Sequence, residues 1–179
     1  RINVVGKQDD WNGTDDILST YVERITKVIN SYQWSNVMEL AESILETWRE
    51  NKQFFLCGNG GSAGNAIHLA NDFLYGINKD TGVGMKVEAL SANPSVLTCL
   101  GNDVGYEEIF SQQLLVKAEK GDLLVILSGS GNSKNVVRAL RVANDVGMKT
   151  FAILGYDGGK CLEIAQTAIH FPVNDMQIS

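Results

Sequence analysis

The sequence predicts an α/β fold: one domain, a three-layer α-β-α sandwich around a mainly parallel five-stranded sheet, preceded by two N-terminal helices. Three observations carry this. Short apolar runs of strand length alternate with helical patterns from Phe54 to Val173, and strands separated by helices build parallel sheets covered on both faces. Two of those runs, 54–57 and 123–127, stop abruptly at turns rich in glycine and serine. No linker or low-complexity stretch interrupts the 179 residues, a length that suits a single domain with a full-sized core.

Taken in order, residues 1–13 are polar, carry Gly6 and Gly13, and read as a flexible lead-in to a domain spanning 14–179. Thr14, Asp15 and Asp16 supply a helix start, and Ile17, Leu18, Tyr21, Val22, Ile25, Val28 and Ile29 follow at helical spacing. A second helix starts at Ser35 and carries Val37, Met38, Leu40, Ala41, Ile44, Leu45 and Trp48. Such a pair either packs against another subunit or covers one face of its own sheet. Strand 54–57 then leads into helix 62–75, with Ser62 at the N-cap position ahead of Ala63, Ala66 and Ile67. Strand 86–90 follows, Asn93 and Pro94 open a short helix through Leu100, 101–105 forms a loop, and a helix spans 106–118. Strand 123–127, helix 134–146, strand 149–154, a turn at 156–159, a short helix at 161–165 and strand 168–173 complete the pattern. A sheet of this kind usually has a closing helix as well, which is expected beyond Ser179.

The net charge of −6 and a pI of about 4.9 argue against nucleic acid or an anionic membrane as the main partner. Cys57, Cys99 and Cys161 are odd in number and match no metal spacing. They read as reduced, mostly buried thiols of a cytoplasmic protein. No apolar run approaches membrane-spanning length.

The two turns carry the chemistry. Gly58-Asn59-Gly60-Gly61-Ser62-Ala63 joins a buried strand to a helix start, so its N–H groups lie at the positive end of a helix dipole and suit a phosphate. Ser128-Gly129-Ser130-Gly131-Asn132-Ser133 repeats the arrangement and adds three hydroxyls, which suits a phosphomonoester. Either turn alone could be an ordinary strand–helix connection; two of them weigh against that. Neither is a nucleotide fingerprint. The P-loop needs a Lys-Ser/Thr pair where Ser62-Ala63 stands, and the first turn offers only the alanine-ended variant of the dinucleotide pattern. No nucleotide cofactor is expected.

With His68, Gly101-Asn102-Asp103-Val104-Gly105-Tyr106-Glu107 and Asp157-Gly158-Gly159-Lys160 in the same order, these turns resemble the SIS (sugar isomerase) domain, and more closely its phosphoheptose isomerase branch. The resemblance covers roughly 35–173. It implies an isomerase that converts sedoheptulose 7-phosphate to a heptose 7-phosphate for cell-envelope or capsule sugars. It also implies a homotetramer and, in some members, zinc. By position, Asn59, Gly60, Gly61 and Ser62 would line the sugar-phosphate site, Ser128, Gly129, Ser130 and Ser133 would hold the phosphate, and Asn102 and Asp103 would touch sugar hydroxyls. The family's Ser-Thr-Ser run is Ser-Gly-Ser here, one hydroxyl fewer. Where the family has a glutamate four residues after the helix histidine, this chain has Asp72, on the same helix face as His68. That pair is implied as catalytic base and partner, or as two ligands of a zinc completed by residues beyond Ser179. The bland alternatives are a histidine packed on the sheet and a solvated acid. Gln177 precedes the position of the family's glutamine, and His170 reads as structural. The rival function is a non-catalytic SIS protein that senses a phosphosugar or binds another protein.

Overall fold

A computed structural model describes residues 14–175; the lead-in 1–13 and Gln177 lie outside the described residues. The chain divides into two units, 1–33 and 34–179. The first contains helix α1 (Thr14–Ser31), whose Ile17, Leu18, Val22 and Ile29 are exposed.

The second unit is the sandwich. Its strands are β1 (Phe54–Gly58), β2 (Val87–Ala89), β3 (Leu123–Ser128), β4 (Lys149–Leu154) and β5 (Thr167–His170). All neighbours pair in parallel, in the order β2-β1-β3-β4-β5. Continuous burial along β1 and β3 explains their unbroken apolar runs: both faces of these strands are covered. Phe55, Cys57, Leu124, Ile126, Ala152 and Leu154 form one core with Leu90, Leu114, Val136, Leu140 and Cys161. The intervening residues of the same strands turn to the opposite face, where Phe54 meets Phe73 edge-on at 5.4 Å.

Helix α2 (Ser35–Arg49) covers its own sheet near β5. The Asn36 side chain donates to the Ala168 carbonyl at 2.8 Å, and Thr167 donates to the Glu39 carboxylate at 2.8 Å. Helix α3 (Gly61–Asn71) packs on β1 and runs on through a π-helical turn (Asp72–Gly76) into α4 (Ile77–Thr81), longer than the apolar pattern indicates. Helix α5 (Pro94–Asp103) starts as expected, with Asn93 capping Ser95 and Val96 and proline in its first turn.

Three local expectations are corrected. The N-cap of α3 is Gly60, not Ser62, because the Asn59 carbonyl already accepts the Ser62 N–H at 3.0 Å and so closes the first turn two residues early. The predicted loop at Gly101, Asn102 and Asp103 is the last turn of α5; the Val104 N–H still reaches the Leu100 carbonyl. The helix expected over 106–118 is divided into a 3₁₀ turn (Tyr106–Glu108) and α6 (Ser111–Lys117), with Ile109 and Phe110 buried at the break.

Helix α7 (Lys134–Val146) buries Val136, Val137, Ala139, Leu140 and Ala143 on the α6 side of the sheet, and α8 (Gly159–Ile164) follows β4. Leu140 is fully buried in this core, whereas Leu115 on α6 is largely exposed. Leu140→Ala is expected to cost about 2–5 kcal/mol and Leu115→Ala no more than ~0.5 kcal/mol, measured by denaturant unfolding. Equal costs would contradict the placement of the core.

Candidate functional site

The order β2-β1-β3-β4-β5 has a switch point between β1 and β3, where connections leave in opposite directions; ligands of open α/β sheets bind at the carboxyl ends of strands at such a point. Gly58 pairs with Leu127 there, so both glycine- and serine-rich turns emerge side by side. The end of β1 is crowded. A Cβ added at Gly58 would stand 2.7 Å from the Ser62 Cβ and 2.8 Å from the Leu127 carbonyl oxygen. Only a glycine lets α3 begin this close to β3.

A cavity of 520 Å³ opens at this point, lined by Asn59, Gly61, Ser62, Asn65, Leu127, Ser128, Gly129, Ser130, Ser133 and Tyr156. The second turn folds on itself: the Ser128 hydroxyl accepts the Gly131 N–H at 3.1 Å, and the Ser130 hydroxyl accepts the Asn132 N–H at 3.3 Å. Both hydroxyl protons stay free to donate to a ligand. Ser133 is the N-cap of α7, and its side chain makes no capping bond. The cavity thus meets the N-termini of α3 and α7, each carrying about half a positive elementary charge.

Asn59 is held from behind. Its side chain exchanges two hydrogen bonds with the buried Asn135, at 2.9 and 2.8 Å, and its oxygen also accepts the Tyr106 hydroxyl at 3.0 Å. The Asn135 oxygen accepts the Val136 N–H as well. One Asn59 N–H remains for the cavity. The sequence marks no role for Asn135, Asn65 or Tyr156: Asn135 and Tyr156 reach Asn59 or the cavity only through tertiary contacts, and Asn65 lies one turn along α3 from Ser62. Tyr106 belongs to the 101–107 motif but has no role assigned there.

The turn after β4 is welded to the serine turn. A Cβ on Gly131, at φ +60°, would lie 1.9 Å from the Gly158 carbonyl oxygen, so the two backbones touch. The Gly155 N–H reaches the Gly129 carbonyl and the Cys161 N–H the Gly131 carbonyl, both at 3.0 Å. Between them Tyr156 has φ +45°, a left-handed conformation that costs a residue with a side chain roughly 1–2 kcal/mol. His170, half-buried at the end of β5, places its Nε2 3.0 Å from the Tyr156 carbonyl oxygen.

The remaining sequence candidates stand outside the cavity lining. His68 and Asp72 pair with each other, Nε2 to Oδ2 at 3.3 Å, and both are exposed. Gly60, the α3 N-cap, is exposed at the rim of the first turn. Asn102 donates to Asp103 at 2.8 Å at the exposed end of α5, and the Cys99 thiol donates to the same carboxylate at 3.4 Å. The bonds from Asn102 and Cys99 hold the Asp103 carboxyl below its ordinary range, while bonding and proximity to Asp103 push the exposed Cys99 thiol up. Cys57 and Cys161 are buried, as expected; desolvation raises both, Cys161 to about 11. The described residues contain no group of three or more His, Cys, Asp or Glu able to hold a metal, and no helix among them is long and apolar enough to cross a membrane.

Residues 19–155 match the SIS domain. The chain is 44% identical over 154 residues to a phosphoheptose isomerase of Aliarcobacter butzleri, covering 86% of this chain and 80% of that protein. It is 37% identical over 165 residues to one of Helicobacter pylori strain P12, covering 90% and 85%. The solved phosphoheptose isomerase from Neisseria gonorrhoeae superposes with a TM-score of 0.82 at 29% identity, over 92% of this chain and 89% of that one. The Francisella tularensis phosphoheptose isomerase shares the fold, with a TM-score of 0.85 at 22% identity, over 92% and 89%. With identity at this level spread over four-fifths or more of both proteins, the chain belongs to the SIS domain family and, within it, to the phosphoheptose isomerases.

Proposed function

We propose that this chain is an aldose–ketose isomerase that converts sedoheptulose 7-phosphate to D-glycero-D-manno-heptose 7-phosphate, in the cytoplasm, for lipopolysaccharide or capsule biosynthesis. The observation that carries the reading is the cavity itself. Two helix N-termini and the hydroxyls of Ser128, Ser130 and Ser133 converge on one space, a set of neutral donors suited to a dianionic phosphomonoester. An acidic chain can hold such an anion because fixed dipoles, not net charge, set the local field.

In this reading Ser128, Gly129, Ser130 and Ser133 take the phosphate, and Asn59, Gly60, Gly61 and Ser62 flank the sugar. Asn102 and Asp103 meet sugar hydroxyls, which requires the sugar to extend past the cavity. Isomerisation needs a base to take a proton from C1 of the ketose and return it to C2 of the enediol, while a hydroxyl proton moves from O1 to O2. Asp72 is the proposed base, with His68 beside it at 3.3 Å to orient the carboxylate. The same two side chains offer two of the donors a zinc site takes, and a zinc held there would polarise the substrate carbonyl. Any further zinc ligands would come from outside the described residues. No nucleotide cofactor enters this chemistry. A homo-oligomer, in the tetrameric form the family resemblance implies, accompanies the reading, and the exposed apolar residues of α1 are consistent with it.

Three measurements test this. Ser130→Ala with Ser133→Ala is expected to weaken sedoheptulose 7-phosphate binding about 10- to 100-fold by calorimetry with the fold intact and the melting temperature lowered by no more than about a few degrees; unaltered affinity would remove the phosphate assignment. Proton NMR in D₂O should show exchange at C1 of the substrate, lost by about 10²-fold or more in Asp72→Asn; full exchange in that variant would displace Asp72 as the base. Sedimentation should show a species heavier than the 19.5 kDa chain, and a clean monomer would contradict the oligomer.

A further inference from the structure

Tyr156 reaches the cavity from the turn after β4, whereas the other lining residues come from the β1–α3 and β3–α7 segments. Four observations set it apart. Its backbone is left-handed at φ +45°, a place usually filled by glycine or asparagine. That backbone is fastened on both sides: its N–H reaches the Val173 carbonyl at 3.2 Å, and its carbonyl oxygen lies 3.0 Å from His170 Nε2. The ring lies along Gly129, where an added Cβ would be 3.5 Å from Cε2 and 3.7 Å from Cδ2. Among the described residues its hydroxyl has no hydrogen-bond partner, although it belongs to a half-buried side chain in a cavity wall. Strain that the surroundings hold in place at a ligand cavity marks a side chain whose position matters to the ligand.

We infer that Tyr156 is a substrate-contacting residue whose phenolic hydroxyl donates a hydrogen bond to a phosphate oxygen of the bound sugar phosphate. The inference rests on the reading of the cavity as a sugar-phosphate site. The geometry directs the contact to the phosphate end, because the ring lies against Gly129, between Ser128 and Ser130. The contact is present equally in substrate, enediol and product, so it contributes to binding and not to the proton transfers.

The test uses the full chain and Tyr156→Phe, which keeps the ring and the backbone. Each is titrated with inorganic phosphate and with sedoheptulose 7-phosphate, and turnover is followed in parallel. Loss of one hydrogen bond to an anion is expected to raise both dissociation constants about tenfold or more. KM should rise with them, while kcat stays within about twofold and the melting temperature does not change. Unchanged dissociation constants for both ligands would overturn the inference, and so would a loss confined to kcat. A loss for the sugar phosphate alone would also overturn it, by moving the contact to the sugar chain. If the unmodified chain neither binds nor turns over sedoheptulose 7-phosphate, the isomerase reading fails instead, and the inorganic phosphate titration still decides the role of Tyr156.

Discussion

The junction at the end of β1 is the constraint on which the rest of the site depends. Gly58 sits opposite Leu127 in the β1–β3 register, and the space that a side chain would fill there is already taken by Ser62 and the Leu127 carbonyl. A β-carbon 2.7 Å from another carbon forces a shift of backbone or helix. With no side chain at that point, α3 starts directly over the seam between the two strands, and its N-terminus faces the serine turn. The parallel register then brings α7 to the same place from the other side. The convergence of two positive helix ends is a product of strand order and one missing methyl group.

This arrangement separates local from global electrostatics. The chain carries a net charge of −6, and a long-range field of that sign does not attract phosphate. In the proposed reading, attraction comes instead from oriented N–H groups and hydroxyls inside the cavity, whose influence falls off within a turn of helix. Recognition of this sort favours an anion that fits over one that is merely charged, because each donor must find an oxygen. The reciprocal Asn59–Asn135 pair belongs to the same design, since it uses both groups of a buried amide to aim the remaining N–H of Asn59.

Much of the fold was legible because it is written locally. The apolar runs of β1, β3 and β4 and the glycine- and serine-rich turns behind the first two are contiguous in sequence and sit within a residue of their predicted bounds. Strand order was not legible, since pairing of β1 with β3 is a contact across more than sixty residues that no short-range pattern encodes. The same holds for Asn135 and Tyr156, ordinary polar and aromatic residues until the sheet sets them beside Asn59 and Gly129. At the start of α3 the failure was of another kind. Serine is a good N-cap by preference, but the Asn59 carbonyl closes the first turn earlier and leaves Ser62 inside the helix. His68 and Asp72 illustrate the limit of spacing: four residues apart on a helix, they do meet, yet spacing alone does not say toward what they point.

The weld between the serine turn and the turn after β4 has a further consequence for how binding and unfolding are linked. The Gly131 backbone touches Gly158, and Tyr156 is pinned through His170 and Val173, so the cavity wall extends to the last strand. No partially opened form that releases β4 or β5 can keep this wall intact. A ligand held here therefore binds the closed sandwich and excludes those forms, so its free energy is spread over the whole sheet, about 2.7 kcal/mol at a hundredfold excess over its dissociation constant. Amides in β4 and β5, which lie away from the β1–β3 seam, would feel an occupied cavity in their hydrogen exchange as strongly as those beside it.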